Sequence, residues 1–137
     1  MRGSPLTIST MRDIKFRVIV ISGDKFCFGN LTQKQTGNCH IGFHGTLTDT
    51  YCHQLVRHTS VGQFTGLTDI NQIEIYEGDI VKCVGNEEHN VMTGIFPIEF
   101  HGGMFTLSYQ TVRLGYFLEY YEIEVIGNIH QNPELLK

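Results

Sequence analysis

The sequence predicts a mainly β protein: a small SH3-like barrel, preceded by an N-terminal β-hairpin and followed by a short C-terminal helical turn. Three observations predict it. Apolar and polar residues alternate at Ile14–Val18 and again at Tyr121–Ile129, the period of a half-buried strand. Fifteen Gly and nine Phe, with no Trp, suit many short strands joined by tight turns. Gly78-Asp-Ile-Val81 opens a β-branched run to Val84, of the kind favoured on a pleated surface and common at the start of a strand in SH3-like barrels.

In chain order, Ile14, Phe16 and Val18 form the buried face of a first strand, with Lys15 and Arg17 on its polar face. Ser22-Gly-Asp24 turns the chain, and Lys25–Phe28 returns as the second strand of a hairpin. Residues 30–60, rich in Thr, Gly, Gln and His, read as loop with one or two short strands. Gln63–Lys82 reads as two strands around a corner. Phe64 and Leu67 anchor the first and Ile73 and Ile75 the second. Asp69-Ile-Asn-Gln72 is the turn, because Asp bonds its own backbone and Asn tolerates the left-handed region. Gly78-Asp79 makes a second turn. A strand over Val91–Phe100 is interrupted by Gly94 and Pro97, the marks of a bulge or edge. His101-Gly-Gly103 turns into a strand at Met104–Ser108. Tyr109–Leu118 reads as a loop or one helical turn. Asn132-Pro-Glu134 has the order of an N-cap, a first-turn Pro and a first-turn acid, so Leu135 and Leu136 would lid the barrel.

Gln63-Phe-Thr-Gly-Leu-Thr-Asp69, Glu74-Ile-Tyr-Glu-Gly-Asp-Ile-Val81 and Tyr121–Leu136 resemble the YopX-like family of phage and prophage proteins, a family without an assigned activity. The resemblance implies a phage or prophage origin and a small β fold. It marks Phe64, Gly66, Leu67, Asp69, Tyr76, Gly78, Asp79, Gly127, Asn128 and Pro133 as a structural signature. The family has Gly where this chain has Gln72, and an aromatic residue and Asp where it has Val18-Ile-Val20. The family pattern begins at Met11. Residues 1–10 are expected to be a leader or tag-like extension. Residues 11–137 are expected to be one domain, with a variable part (11–62) and a signature-bearing part (63–137).

The chain's 137 residues suffice for one core. The net charge of −4 argues against a dedicated nucleic-acid binder. Charge is divided unevenly: residues 1–62 hold seven Lys/Arg and three Asp/Glu, and residues 63–137 hold three and eleven. Either the halves neutralise each other within one fold, or the split drives association. No apolar signal core begins the chain, and Val18–Ile21 is too short to span a bilayer. A cytoplasmic location in a bacterial host is expected, with free thiols at Cys27, Cys39, Cys52 and Cys83, although their even count also permits disulfides.

Cys39, His44, Cys52 and His53 are the metal candidates by residue type, since thiolate and imidazole ligate zinc. They lack a Cys-x2-Cys knuckle, and the reading is that no metal or other cofactor binds. Glu74, Glu77, Asp79, Glu87 and Glu88 match no EF-hand spacing, and phosphate-binding glycine loops are absent. The expected function is non-catalytic: a binding or regulatory module contacting a protein partner or a second copy. The alternative is a nucleic-acid accessory role, with Phe26, Phe28 and Phe43 stacking bases beside Lys15, Arg17 and Lys25.

Overall fold

The computed structural model describes residues 12–19, 25–33, 35, 39–44, 51–108 and 110–137; the side chains at 43, 44, 51–55 and 58 fall outside this description. Among the described residues, ten strands form two antiparallel sheets. β1 (Phe16–Ile19), β2 (Phe26–Gln33), β3 (Cys39–His44), β4 (Tyr51–Leu55), β5 (Gly62–Thr68) and β6 (Glu74–Tyr76) make the first, in the order β4-β3-β2-β1-β5-β6. β7 (Asp79–Val84), β8 (Gly94–His101), β9 (Met104–Leu107) and β10 (Glu122–Asn128) make the second, in the order β10-β7-β8-β9. The signature segment serves both sheets: β5 and β6 complete the first, and β7 starts the second.

Neither sheet closes into a barrel, which corrects the SH3-like expectation. The reason lies between β9 and β10. There the chain forms α1 (Leu114–Tyr120), and β9 and β10 end at opposite edges of their sheet. Leu114 and Phe117 of α1 are buried against Ile75, Val81, Cys83, Ile98, Leu107 and Ile123. The helix covers apolar surface that barrel closure would otherwise cover.

α1 also corrects the expectation of a loop or single turn before Leu118. Its sequence, LGYFLEY, contains a Gly, and Arg113 at its start makes no side-chain cap. Tertiary burial of Leu114 and Phe117 therefore stabilises it more than propensity does. In the middle of the chain, where loop with one or two short strands is expected, β3 pairs with β2 through Leu31↔Ile41 and with β4 through Phe43↔Cys52. Val18, Cys39, Ile41 and Val56 form a second, smaller core.

The first strand departs from simple alternation. Ile14 is 54% exposed, whereas Arg17 is only 8% exposed. The face read as polar is buried where it meets the turn that leads into the second sheet. Ile73, expected in the core, is 51% exposed at the turn. Asn132 does not cap the terminal 3-10 turn Pro133–Leu136. Its Oδ1 instead accepts from Asn128 N, so the side chain folds back onto β10. With no barrel to lid, the terminal turn lies beside β8, and Leu136 stays partly exposed.

Candidate functional site

The most elaborate side-chain cluster lies where the sheets meet. Arg17 of β1 reaches Asp79 at the start of β7, with Nη2 2.6 Å from Oδ1. The two groups form a buried ion pair. The guanidinium lies over two rings, 4.4 Å from the Phe26 centroid and 5.0 Å from that of Tyr76. Cation–π attraction of this kind strengthens on desolvation. The other Asp79 oxygen accepts from Tyr76 N at 2.7 Å. Asp79 is buried, and burial pushes its carboxyl above the usual range despite Arg17.

Around this pair, Lys15 bridges to Glu74 and lies over the Phe64 ring. Tyr76 meets Phe28 and Phe64 in ring contacts, and burial and Glu74 push its hydroxyl up to about 12. His130 approaches Phe26 edge-on; burial, and then Arg17, holds its imidazole below the ordinary value. The basic first half thus meets the acidic second half within one molecule.

The turn after β6 joins the sheets through its backbone. Glu77 N donates to Gln63 O of β5, Gly78 N to Ile98 O of β8, and Ile129 N to Gly78 O. Gly78 holds φ +91°, a conformation that residues with a Cβ rarely adopt. The preceding turn is built on Asp69. Its Oδ1 accepts from Asn71 N and Ile73 N, at 2.8 and 2.9 Å. Its Oδ2 reaches across to Val125 N at 2.9 Å, where β10 bulges between Val125 and Gly127. The sequence indicated the local bonds; the reach to β10 carried no local signal. Gln72 holds φ +63°.

Other signature residues occupy different places. Phe64 is buried, Leu67 packs against the larger core, and Gly66 holds φ +84°. Asn128 Oδ1 accepts from His130 N and Gln131 N, fixing the turn after β10. A Cβ on Gly127 would come within 2.8 Å of Asn132 Oδ1 and 2.9 Å of Leu135 Cδ1. Pro133 opens the terminal 3-10 turn.

Of the metal candidates, Cys39 is buried, while the side chains of His44, Cys52 and His53 lie outside the described residues. The register places Cys52 opposite Phe43, four steps along β3 from Cys39, or roughly 13 Å at the usual rise of a strand. Among the described residues, no group of three or more His, Cys, Asp or Glu could hold a metal ion.

Sequence reasoning missed two grooves beside β8. One, of about 560 Å³, is lined mainly by Ile95, Phe96, Pro97, Ser108 and Leu136. The other, of about 310 Å³, runs past Glu77, Gly78, Phe100, His101 and His130. Ile98, Glu99 and Ile129 line both, so the two grooves adjoin. The sequence signal, had it been read, was the clustering of apolar residues around Gly94 and Pro97. Phe100 and Ile95 remain 54% and 45% exposed.

A two-sheet β fold with a stapling Gly-Asp turn defines a class of small antiparallel β proteins. The chain belongs to the YopX family, whose model, described as YopX protein, matches residues 15–137. Over 69 residues it is 32% identical to the SPbeta prophage-derived uncharacterized protein YopX of Bacillus subtilis (strain 168), a match covering 46% of this chain and 50% of that protein. The chain thus spans about half the length of this curated relative. The fold is similar to the crystal structure of protein EF1440 from Enterococcus faecalis, with a TM-score of 0.61 at 23% identity, over 93% of this chain and 100% of that one. It is also similar to the crystal structure of YopX from Bacillus subtilis, with a TM-score of 0.61 at 24% identity, over 90% of this chain and 98% of that one.

Proposed function

We propose that this protein is a non-catalytic binding module, of phage or prophage origin, that acts through contacts with a protein partner in the cytoplasm of a bacterial host. The single observation that carries this reading is the use made of its buried charged groups. Arg17 and Asp79 neutralise each other, and Asp69 holds a turn to a strand. Cys83, a buried thiol, is pushed up to about 11 by burial, which disfavours the reactive thiolate. These groups support architecture, while the accessible surface along β8 is grooved and apolar, as binding surfaces are. The origin is supported by the name of the Bacillus subtilis relative. The location is consistent with the described residues, which include no helix long and apolar enough to cross a membrane.

The nucleic-acid alternative has less support. Lys15 and Arg17, its proposed phosphate contacts, are paired with Glu74 and Asp79, and Phe26 lies against Arg17. The test is sedimentation velocity of the purified protein with and without extract from the native host after prophage induction. A co-sedimenting host or phage protein is expected. Sedimentation as a monomer under every condition would contradict the reading, and a shift of labelled single-stranded DNA at physiological salt would favour the alternative.

A further inference from the structure

The trough made by these two adjoining grooves beside β8 has features that select a particular occupant. The last rung between β8 and β9 beyond Ile98↔Leu107 is Ser108 N donating to Pro97 O, at 2.9 Å. Backbone groups alternate sides along a strand. Ile95, two residues earlier, therefore aims its N–H and C=O to the same side as Pro97, beyond the end of β9. Among the described residues, no backbone partner meets them. An open strand edge of this kind is a template for an added extended segment. Ser108, already bonded to Pro97 O on that side, ends the added strand there and keeps it short.

The walls restrict the chemistry further. Ile95, Phe96, Ile129 and Leu136 make the trough apolar. Among the described residues, its carboxylates are Glu77 and Glu99, its imidazoles are His101 and His130, and no Lys or Arg lines either part. Glu99 is exposed. Resting on the reading of this protein as a binding module, we infer that the trough takes an extended apolar segment of a partner protein, laid along β8 at Ile95, with a lysine or arginine directed toward Glu77 and Glu99. Charge complementarity favours a basic segment and repels an acidic one. A neighbouring imidazole, His130, whose protonation burial and Arg17 both oppose, adds no competing positive charge at neutral pH.

The test uses the full chain, isotopically labelled for amide NMR, and three blocked synthetic octapeptides. One alternates valine and threonine and carries a lysine; the second replaces lysine with glutamate; the third is N-methylated at alternate positions of the lysine peptide. The lysine peptide should shift the Ile95 and Glu99 amides saturably. The glutamate peptide should bind at least about tenfold more weakly, and the N-methylated one should not bind. Glu99→Lys should reverse the charge preference, Ile95→Glu should lose binding, and the distant Lys25→Glu should retain it. Ile95 and Glu99 are exposed, so these variants should fold, and the Glu99→Lys reversal gives a positive readout. The proposal is overturned if no peptide shifts these amides below about 1 mM, or if Ile95→Glu binds as tightly as the parent. Concentration-dependent shifts at Ile95 without peptide would place a second copy there and overturn it too. A host partner whose capture survives Ile95→Glu would overturn this placement while leaving the binding-module reading intact.

Discussion

Arg17 and Asp79 meet at the junction of the two sheets, one from the first strand and the other from the first strand of the second sheet. Both are buried. Taking two charges out of water is costly, and removing one partner leaves the other uncompensated. Arg17→Met or Asp79→Leu alone should therefore destabilise by about 3–5 kcal/mol, while the double substitution should cost far less. Urea denaturation of the four proteins closes this cycle. Additive losses would show that the pair does not act as a unit.

Asp79 also gives a pH signature. Its folded carboxyl lies above the usual range because of burial, so the native state binds this proton more readily than the unfolded chain. The stability it contributes is fully present below the unfolded value and is lost as pH rises through the folded one. His130 acts in a different window. Its folded imidazole lies below the ordinary value, so the unfolded chain takes up the proton first as pH falls from about 6.5. Stability falls through that window, and His130→Gln should flatten the slope between about pH 7 and 5. A slope unchanged by that substitution would assign the effect to other groups.

Gln72 occupies the left-handed region at φ +63°, a region that favours Gly. Such a conformation costs a non-glycine residue about 1 kcal/mol, and Gln72 is exposed. Gln72→Gly should raise stability by about that amount, less the extra unfolded-chain entropy that glycine brings. Thermal melting checks it; a lowered melting temperature would mean that the side chain contributes something the turn needs.

The two signature glycines should fail for different reasons. At Gly78 a Cβ would find ordinary contacts to Ile129 and His130, so Gly78→Val should cost about 1–3 kcal/mol through its positive φ. At Gly127 the neighbouring Asn132 and Leu135 would have to shift, and Gly127→Ala should cost about 1–3 kcal/mol through overpacking. Relief in a Gly127→Ala, Leu135→Ala protein, with none in the Gly78→Val, Leu135→Ala counterpart, would separate the two causes.

Local chemistry made part of this architecture legible. Asp69 and Gly78 stand out because turns need specific residues, and the alternation at Tyr121–Ile129 marks β10. The barrel expectation failed because sheet closure depends on where α1 lies. That helix has little local signal: its Gly and aromatic residues are poor helix formers, held by Leu114 and Phe117 in the core. The junction was not legible because Arg17 looks like any polar residue of an alternating strand until Asp79, far along the chain, is brought against it. Asn132 was misread for a related reason: it had two hydrogen-bonding choices, and the bond to Asn128 replaced the cap.

The binding account is tested most directly by site-specific photo-cross-linking in the native host after prophage induction. A photoreactive residue is placed at Phe100, exposed in the trough, or at Val91, 87% exposed but not among its lining residues. The account predicts a discrete protein adduct from position 100 and none from position 91. No adduct from either position, or the same adducts from both, would contradict it.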